Sequence, residues 1–170
     1  MTTQEQAHAY QNAKAWTSSI ANYVSAANGE TWERLEELRD ERDDFDGDSP
    51  AGARDEWMVE NGEELKDLEE SLSEFKDAED AREQAQESAL SVEVRSGWGS
   101  PGEEMTAEDF QILLSTGGPA LRIRGELNQG EPSRAWLEYQ DWGTPWTEYH
   151  GENADQGTLL SFCSFFFFGE

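Results

Sequence analysis

The segment Ile112–Leu127 reads ILLSTGGPALRIRGEL, two alternating runs about a Gly-Gly pair. Phe110, Ile112 and Leu114 alternate with Gln111 and Leu113, and Leu121, Ile123 and Leu127 alternate with Arg122, Arg124 and Glu126. Hydrophobicity therefore repeats every second residue on both sides of Gly117-Gly118. A period of two sends neighbouring side chains to opposite faces of a strand, and Gly-Gly supplies the backbone freedom of a two-residue hairpin. The expected register pairs Leu114 with Leu121 and Ile112 with Ile123 on one apolar face.

The same period continues outward. Ala135, Leu137 and Tyr139 alternate with Trp136, Glu138 and Gln140, beyond a loop at Asn128–Pro132. That loop predicts Ile123 opposite Leu137 and Leu121 opposite Tyr139 on the apolar face. The other face gains Glu126 beside Arg134, Arg124 beside Trp136, and Arg122 beside Glu138, pairs worth roughly 0.2–1 kcal/mol each. Upstream, Val92 and Val94 alternate with Glu93 and Arg95. One apolar and one polar face is the pattern of a half-buried antiparallel sheet. Residues 90–170 thus read as a four-stranded antiparallel β meander, with an apolar helix or strand at Thr158–Phe168.

Before Leu90 the period is helical. Tyr10, Ala13, Thr17, Ile20, Val24 and Ala27 form one stripe over residues 3–27, stopped by Asn28-Gly29. Thr31 is the expected cap of a second helix to Phe45, and Asp46–Pro50 an expected turn. Ser49 and Pro50 are expected to open a short helix around Trp57, broken at Asn61-Gly62. Leu65, Leu68, Leu72 and Phe75, continued by Ala78, Ala81, Ala85 and Ala89, predict one helix over residues 63–88, roughly 39 Å long at 1.5 Å per residue. The fold class is α+β: an acidic N-terminal helical hairpin or bundle over residues 1–89, followed by the sheet module. The narrow Leu65–Phe75 stripe would also suit a homodimer.

The strings VEVRSGWGSPGEE (Val92–Glu104), ILLSTGGPALRIRGEL and GEPSRAWLEYQDWGTPWTEY (Gly130–Tyr149) carry a resemblance. Over about the last 80 residues the chain resembles small phage and prophage proteins that join a variable acidic helical N-terminus to a β-rich module. The resemblance supplies no catalytic residues. It implies a phage setting, in which small acidic proteins often act against restriction or CRISPR defences.

Charge is concentrated rather than spread. Glu30–Glu87 holds 24 carboxylates against seven Lys and Arg, a net charge of −17, while the rest of the chain carries 14 against five, or −9. An overall −26 excludes direct binding of nucleic acid, whose phosphates need cations, and suits a basic partner. A salt-adapted protein would distribute its acid over the whole surface. Glu63, Asp67, Glu70, Glu74 and Asp77 recur at spacings of 4, 3, 4 and 3, and Glu33, Glu37, Asp40 and Asp44 form a second row flanked by Glu36 and Asp43. Such neighbours lie roughly 5–6 Å apart on a helix and repel by roughly 0.2–0.5 kcal/mol per pair. A helix needing only solubility would mix signs, so the rows point to imitation of a phosphate backbone.

Other chemistry is poorly supported by the residues. Cys163 is alone and lies in an apolar run, and His8 and His150 have no nucleophile at a catalytic spacing, so no enzyme and no cofactor are expected. Asp43–Asp48 resembles a calcium loop but places Arg42 and Ala53 where an EF-hand requires carboxylates, so no metal site is expected. No signal peptide and no membrane span is expected, which suggests a host bacterial cytoplasm. The expected function is inhibition of a host nucleic-acid-binding protein, a CRISPR effector first and a restriction enzyme second, through the carboxylate rows. The alternative is an acidic interaction module or phage assembly factor that binds a partner through an aromatic sheet face, with Trp136 and Trp142 as anchors.

Overall fold

The computed structural model describes residues 3–45 and 49–169, with side chains from Ala7 onward; the expected turn and calcium loop at Asp46–Asp48 lie outside the described residues. The chain is α+β, with five helices and five strands among the described residues: α1 (Thr3–Ala26), α2 (Gly29–Asp43), α3 (Ala53–Leu72), α4 (Ala78–Glu87), β1 (Ser91–Ser96), β2 (Ala107–Ser115), β3 (Ala120–Asn128), β4 (Glu131–Gln140), β5 (Thr147–Glu148) and α5 (Gln156–Cys163). It divides into two compact units, Met1–Val24 with Glu83–Glu170, and Ser25–Arg82. This division differs from the expected 1–89 and 90–170, because the first helix belongs with the sheet.

In the first unit the strands form one antiparallel meander in the order β1-β2-β3-β4-β5. Ile112 faces Ile123, Ile123 faces Leu137, Leu121 faces Tyr139, Arg122 faces Glu138, Arg124 faces Trp136 and Glu126 faces Arg134. All six agree with the register read from the alternation. The β2–β3 turn differs. Leu121 pairs with Ser115, not Leu114, across a bulge between Leu113 and Ser115, and the connection spans residues 116–119. Pro119 has no N–H to give the ladder, and β2–β3 pairing begins only at Leu121, while Ala120 pairs with Gln140 of β4. A short β5 after the Asp141–Trp146 turn adds a fifth strand, pairing Glu138 with Glu148 and Tyr139 with Thr147.

The apolar face of this sheet is the core. Phe110, Ile112, Leu114, Leu121, Ile123, Ala135 and Leu137 are buried there with Ala13 and Ile20 of α1, Ala85 of α4, and Leu159, Phe162 and Cys163 of α5. The narrow α1 stripe thus has the sheet core as its partner: Tyr10 meets Tyr139 edge-on at 6.2 Å between ring centroids and Tyr149 at 5.1 Å. Asp155 caps α5 by accepting from Thr158 N at 3.0 Å, and these bonds hold its carboxyl below the ordinary range. Burial pushes the Cys163 thiol far up, so it stays a neutral packing group. Gly125 lies opposite Phe110, and a Cβ there would stand 2.2 Å from the Arg134 carbonyl oxygen and 2.3 Å from the Phe110 ring. Only glycine lets that ring fill the core.

The second unit contains α2 and α3, packed as a helical hairpin. Leu35 and Leu38 of α2 are buried, as are Leu65 and Leu72 of α3 and Phe75 beyond it. Among the described residues, Leu65, Leu72 and Phe75 of the expected apolar stripe are thus covered within a single chain. The α2 cap is Asn28, whose side chain accepts from Glu30 N at 3.1 Å, rather than Thr31. The residue pair expected only to stop α1 also starts α2.

Two further boundaries differ from the sequence expectation. α3 opens after Gly52, not at Ser49-Pro50, and runs through Asn61-Gly62. The Asn61 side chain donates to the Trp57 carbonyl within the helix at 3.2 Å. Packing of Trp57 and Leu65 outweighs a glycine penalty of about 1 kcal/mol. The long helix over residues 63–88 is broken at Ser73–Asp77. Ser73 turns its hydroxyl back to the Glu70 carbonyl at 2.7 Å. Asp77 accepts from the N–H groups of Glu79 and Asp80 at 3.0 and 2.9 Å, and Asp80 reaches back to the Lys76 N–H at 3.1 Å. These bonds satisfy the exposed donors of a new helix start.

Candidate functional site

The two expected carboxylate rows have different fates. Glu33, Glu36, Glu37 and Asp40 are exposed along α2, with Asp43 at its end and Asp44 at its C-cap. At about 100° per residue, Glu33, Glu37, Asp40 and Asp44 sit about 130–170° around the helix from the mean direction of the buried Leu35 and Leu38, Glu37 nearest the side, so the row looks away from the α2–α3 seam. The other row is cut short. Glu63, Asp67 and Glu70 are exposed on α3, Glu74 falls in the turn after it, and Asp77 is committed to capping α4. The five carboxylates do not share one helical face. Glu63, Asp67 and Glu70 also point away from the seam on their own helix, so the two rows do not merge into one ridge.

The arginines of α2 set the electrostatics. Arg34 forks onto Glu64 of α3, Nε to Oε1 at 2.9 Å and Nη2 to Oε2 at 3.0 Å. Arg39 reaches Glu69 at 3.0 Å, and Arg42 lies 2.8 Å from Asp43 and 3.8 Å from Glu69. The hydrogen bond from Arg34 holds the Glu64 carboxyl below its ordinary value, and the hydrogen bond from Arg42 does the same for Asp43. Trp57 Nε1 donates to Glu41 at 3.0 Å. The cations of α2 are thus drawn mainly toward α3 and the helix end. Glu33, Glu36, Asp40 and Asp44 take part in no ion pair among the described residues, while Glu37 has only a 3.5 Å contact to Arg34. What remains is a ridge about 16–17 Å long, from Glu33 to Asp44 at 1.5 Å per residue, without neutralising partners along most of its length.

The aromatic anchors also separate. Trp136 lies on the outer face of β4, half-buried, its ring near Arg124 and Arg134 at 5.7 and 5.6 Å from centroid to guanidinium carbon. Its Nε1 donates to Glu138 at 3.1 Å. Trp142 is not on the sheet face: it follows β4 in the turn toward β5 and is 78% exposed. Its indole lies over Gly118, where a Cβ would come within 2.1 Å of the ring nitrogen. Sequence reasoning placed Trp142 by extending the alternation two residues past the end of the strand.

A polar network that sequence reasoning did not single out occupies the outer face. Arg122 donates to Glu138 at 2.7 Å and to Gln111 at 3.2 Å, and packs over the Trp146 ring at 4.1 Å. Gln111 donates in turn to Glu93 at 2.6 Å. Beside it lies a cavity of about 300 Å³ between β1, β2 and β3. The alternation already put Arg122 and Arg124 on one face, but the cavity depends on the pairing of three strands. Among the described residues no group of three or more His, Cys, Asp or Glu is arranged to hold a metal ion, and no helix is long and apolar enough to cross a membrane.

No known family model matches the chain, and neither a curated protein nor a solved structure is significantly similar to it.

Proposed function

We propose that the protein is a phage-encoded inhibitor that occupies a basic nucleic-acid-binding surface on a host defence protein, with α2 standing in for a phosphate backbone. The observation that carries this reading is the α2 ridge: exposed carboxylates at helical spacings whose neighbouring arginines are engaged elsewhere. Successive acids rise 4.5–6 Å along such a helix, a spacing on the order of that between phosphates of one strand. The ridge is built on a packed hairpin, so little ordering entropy is lost when it docks. A CRISPR effector is the first candidate partner and a restriction enzyme the second, the classes to which the phage-like β strings point. The contribution of Glu63, Asp67 and Glu70 is secondary, since they lie on another side of the hairpin.

The test is competition. The protein is immobilised, bacterial host lysate is passed over it at low salt, and bound nucleic-acid-binding proteins are challenged with DNA. On this reading DNA and raised salt both release them, and Glu33→Gln, Glu37→Gln, Asp40→Asn and Asp44→Asn together abolish capture. Capture that survives these four changes in a folded variant overturns the proposal. The exposure of Trp142 favours a second reading, a partner-binding or assembly module anchored by aromatics. It predicts loss of capture with Trp142→Ala or Trp136→Ala instead.

A further inference from the structure

All four basic residues that follow Glu83 meet on the outer face of the sheet: Arg95 on β1, Arg122 and Arg124 on β3, and Arg134 on β4. Three of them have an acid. Arg95 donates from Nε to Asp109 at 3.0 Å, Arg122 to Glu138 at 2.7 Å, and Arg134 approaches Glu126 at 3.5 Å. Arg124 is different. Among the described residues its guanidinium has neither a carboxylate nor a hydrogen-bond acceptor, and its near neighbour is the face of Trp136. In a chain with 38 carboxylates and 12 Lys and Arg, a half-buried guanidinium without an anion stands out. Arg54 and Lys66, which also make no ion pair among the described residues, are exposed and solvated.

Arg124 lines the 300 Å³ cavity. The cavity's own acids are already engaged, Asp109 by Arg95 and Glu93 by Gln111. The five N–H donors of Arg124 are not. Arg122, also on the wall, is held by Glu138 and Gln111 and adds positive potential without offering its whole fork. Val94 supplies an apolar side to the opening.

We propose that this cavity is a binding site for a small, singly charged carboxylate, taken by the fork of Arg124. A guanidinium presents two parallel N–H donors at the spacing of a carboxylate's oxygens, and partial burial strengthens the pair relative to open water. Charge selects a monoanion: Glu93 and Asp109 flank the site and the chain carries −26, so a second negative charge on the ligand is repelled. The opening between the three strands, about 300 Å³, accommodates a small acid. Both a free organic acid and the terminal carboxylate of a peptide have this chemistry. The site is independent of the α2 ridge, and neither depends on the other's outcome.

Benzoate, with benzamide as its uncharged counterpart and inorganic phosphate as a more highly charged anion, is the probe set. The readout is the Arg124 Nε–H resonance of the full chain, with affinity from the titration. Benzoate is expected to shift that resonance saturably, and benzamide and phosphate are expected not to. Arg124→Gln is expected to weaken benzoate binding at least about tenfold, the loss of one charge-assisted contact, while Arg54→Gln leaves it unchanged. Equal binding of benzoate and benzamide to the unaltered protein, or equal benzoate affinity after Arg124→Gln, overturns the proposal. The first comparison stands even if the variant fails to fold. A tripeptide with a free C-terminus that displaces benzoate, where its C-terminal amide does not, makes the ligand a chain end. Benzoate binding that the tripeptide leaves untouched makes it a free acid.

Discussion

Neutralising the α2 ridge with Glu33→Gln, Glu37→Gln, Asp40→Asn and Asp44→Asn is expected to stabilise the protein while it removes the proposed binding surface. The four acids form three successive like-charged pairs along α2 and its C-cap. At roughly 0.2–0.5 kcal/mol per pair, their mutual repulsion amounts to about 0.6–1.5 kcal/mol. Asp44 adds to the cost, because an anion at a helix C-terminus opposes the macrodipole. The amide replacements keep side-chain size, and their helix propensities are close to those of the acids. The opposing loss is small: Glu37 makes only an exposed 3.5 Å contact to Arg34, which keeps its stronger fork on Glu64. A net gain of about 1 kcal/mol raises the melting temperature by roughly 2–4 °C for a chain of this size. Urea unfolding followed by far-ultraviolet circular dichroism measures the gain in stability. In 1 M salt, where screening acts over about 3 Å, the difference should nearly vanish. A variant no more stable than its parent at low salt, or a gain undiminished by salt, refutes the reasoning and removes the signature of a surface kept at the expense of stability.

Three other perturbations probe the remainder of the molecule. Gly125→Ala forces a Cβ into the Arg134 carbonyl and the Phe110 ring; a loss of about 3 kcal/mol is expected by chemical denaturation, and a loss below about 1 kcal/mol would mean that Phe110 does not fill that space. Gly62→Ala places its methyl 3.0 Å from the mobile end of Met58 in an exposed helix turn. It should raise stability by roughly 0.5–1 kcal/mol, whereas a helix broken at Asn61-Gly62 would show no gain. Acidification should weaken the hairpin. Glu64 and Asp43 are held below their ordinary values, so their contribution is present above the ordinary carboxylate pKa of about 4 and is lost as pH falls through the folded values. In the variant with the four ridge acids neutralised, where relief of α2 repulsion no longer offsets it, the urea midpoint should drop below about pH 4, and Glu64→Gln should flatten part of that drop.

The faces of the sheet were legible in local pattern. Period-two alternation in Ile112–Leu127 and Ala135–Tyr139 fixes which side chains share a face, since a slip of one residue would bury Arg122 and Arg124 and expose Ile123. Six cross-strand pairs follow once the Gly117-Gly118 and Asn128–Pro132 connections set the register. The stripe of α1 was equally legible, as was the concentration of acid before Leu90. What those patterns meet depends on how the whole chain packs. The 3,4 spacing of Leu65 to Ala89 continues through Ser73–Asp77, so periodicity could not reveal a break made by side-chain hydrogen bonds from Ser73, Asp77 and Asp80. Nor could local pattern send Arg34 to Glu64, thirty residues away, or give Arg124 a cavity and no acid. Hydrophobic period is a property of neighbours along the chain. Charge pairing and cavities depend on which distant segments are brought within a few ångströms, and that is settled by packing of the whole.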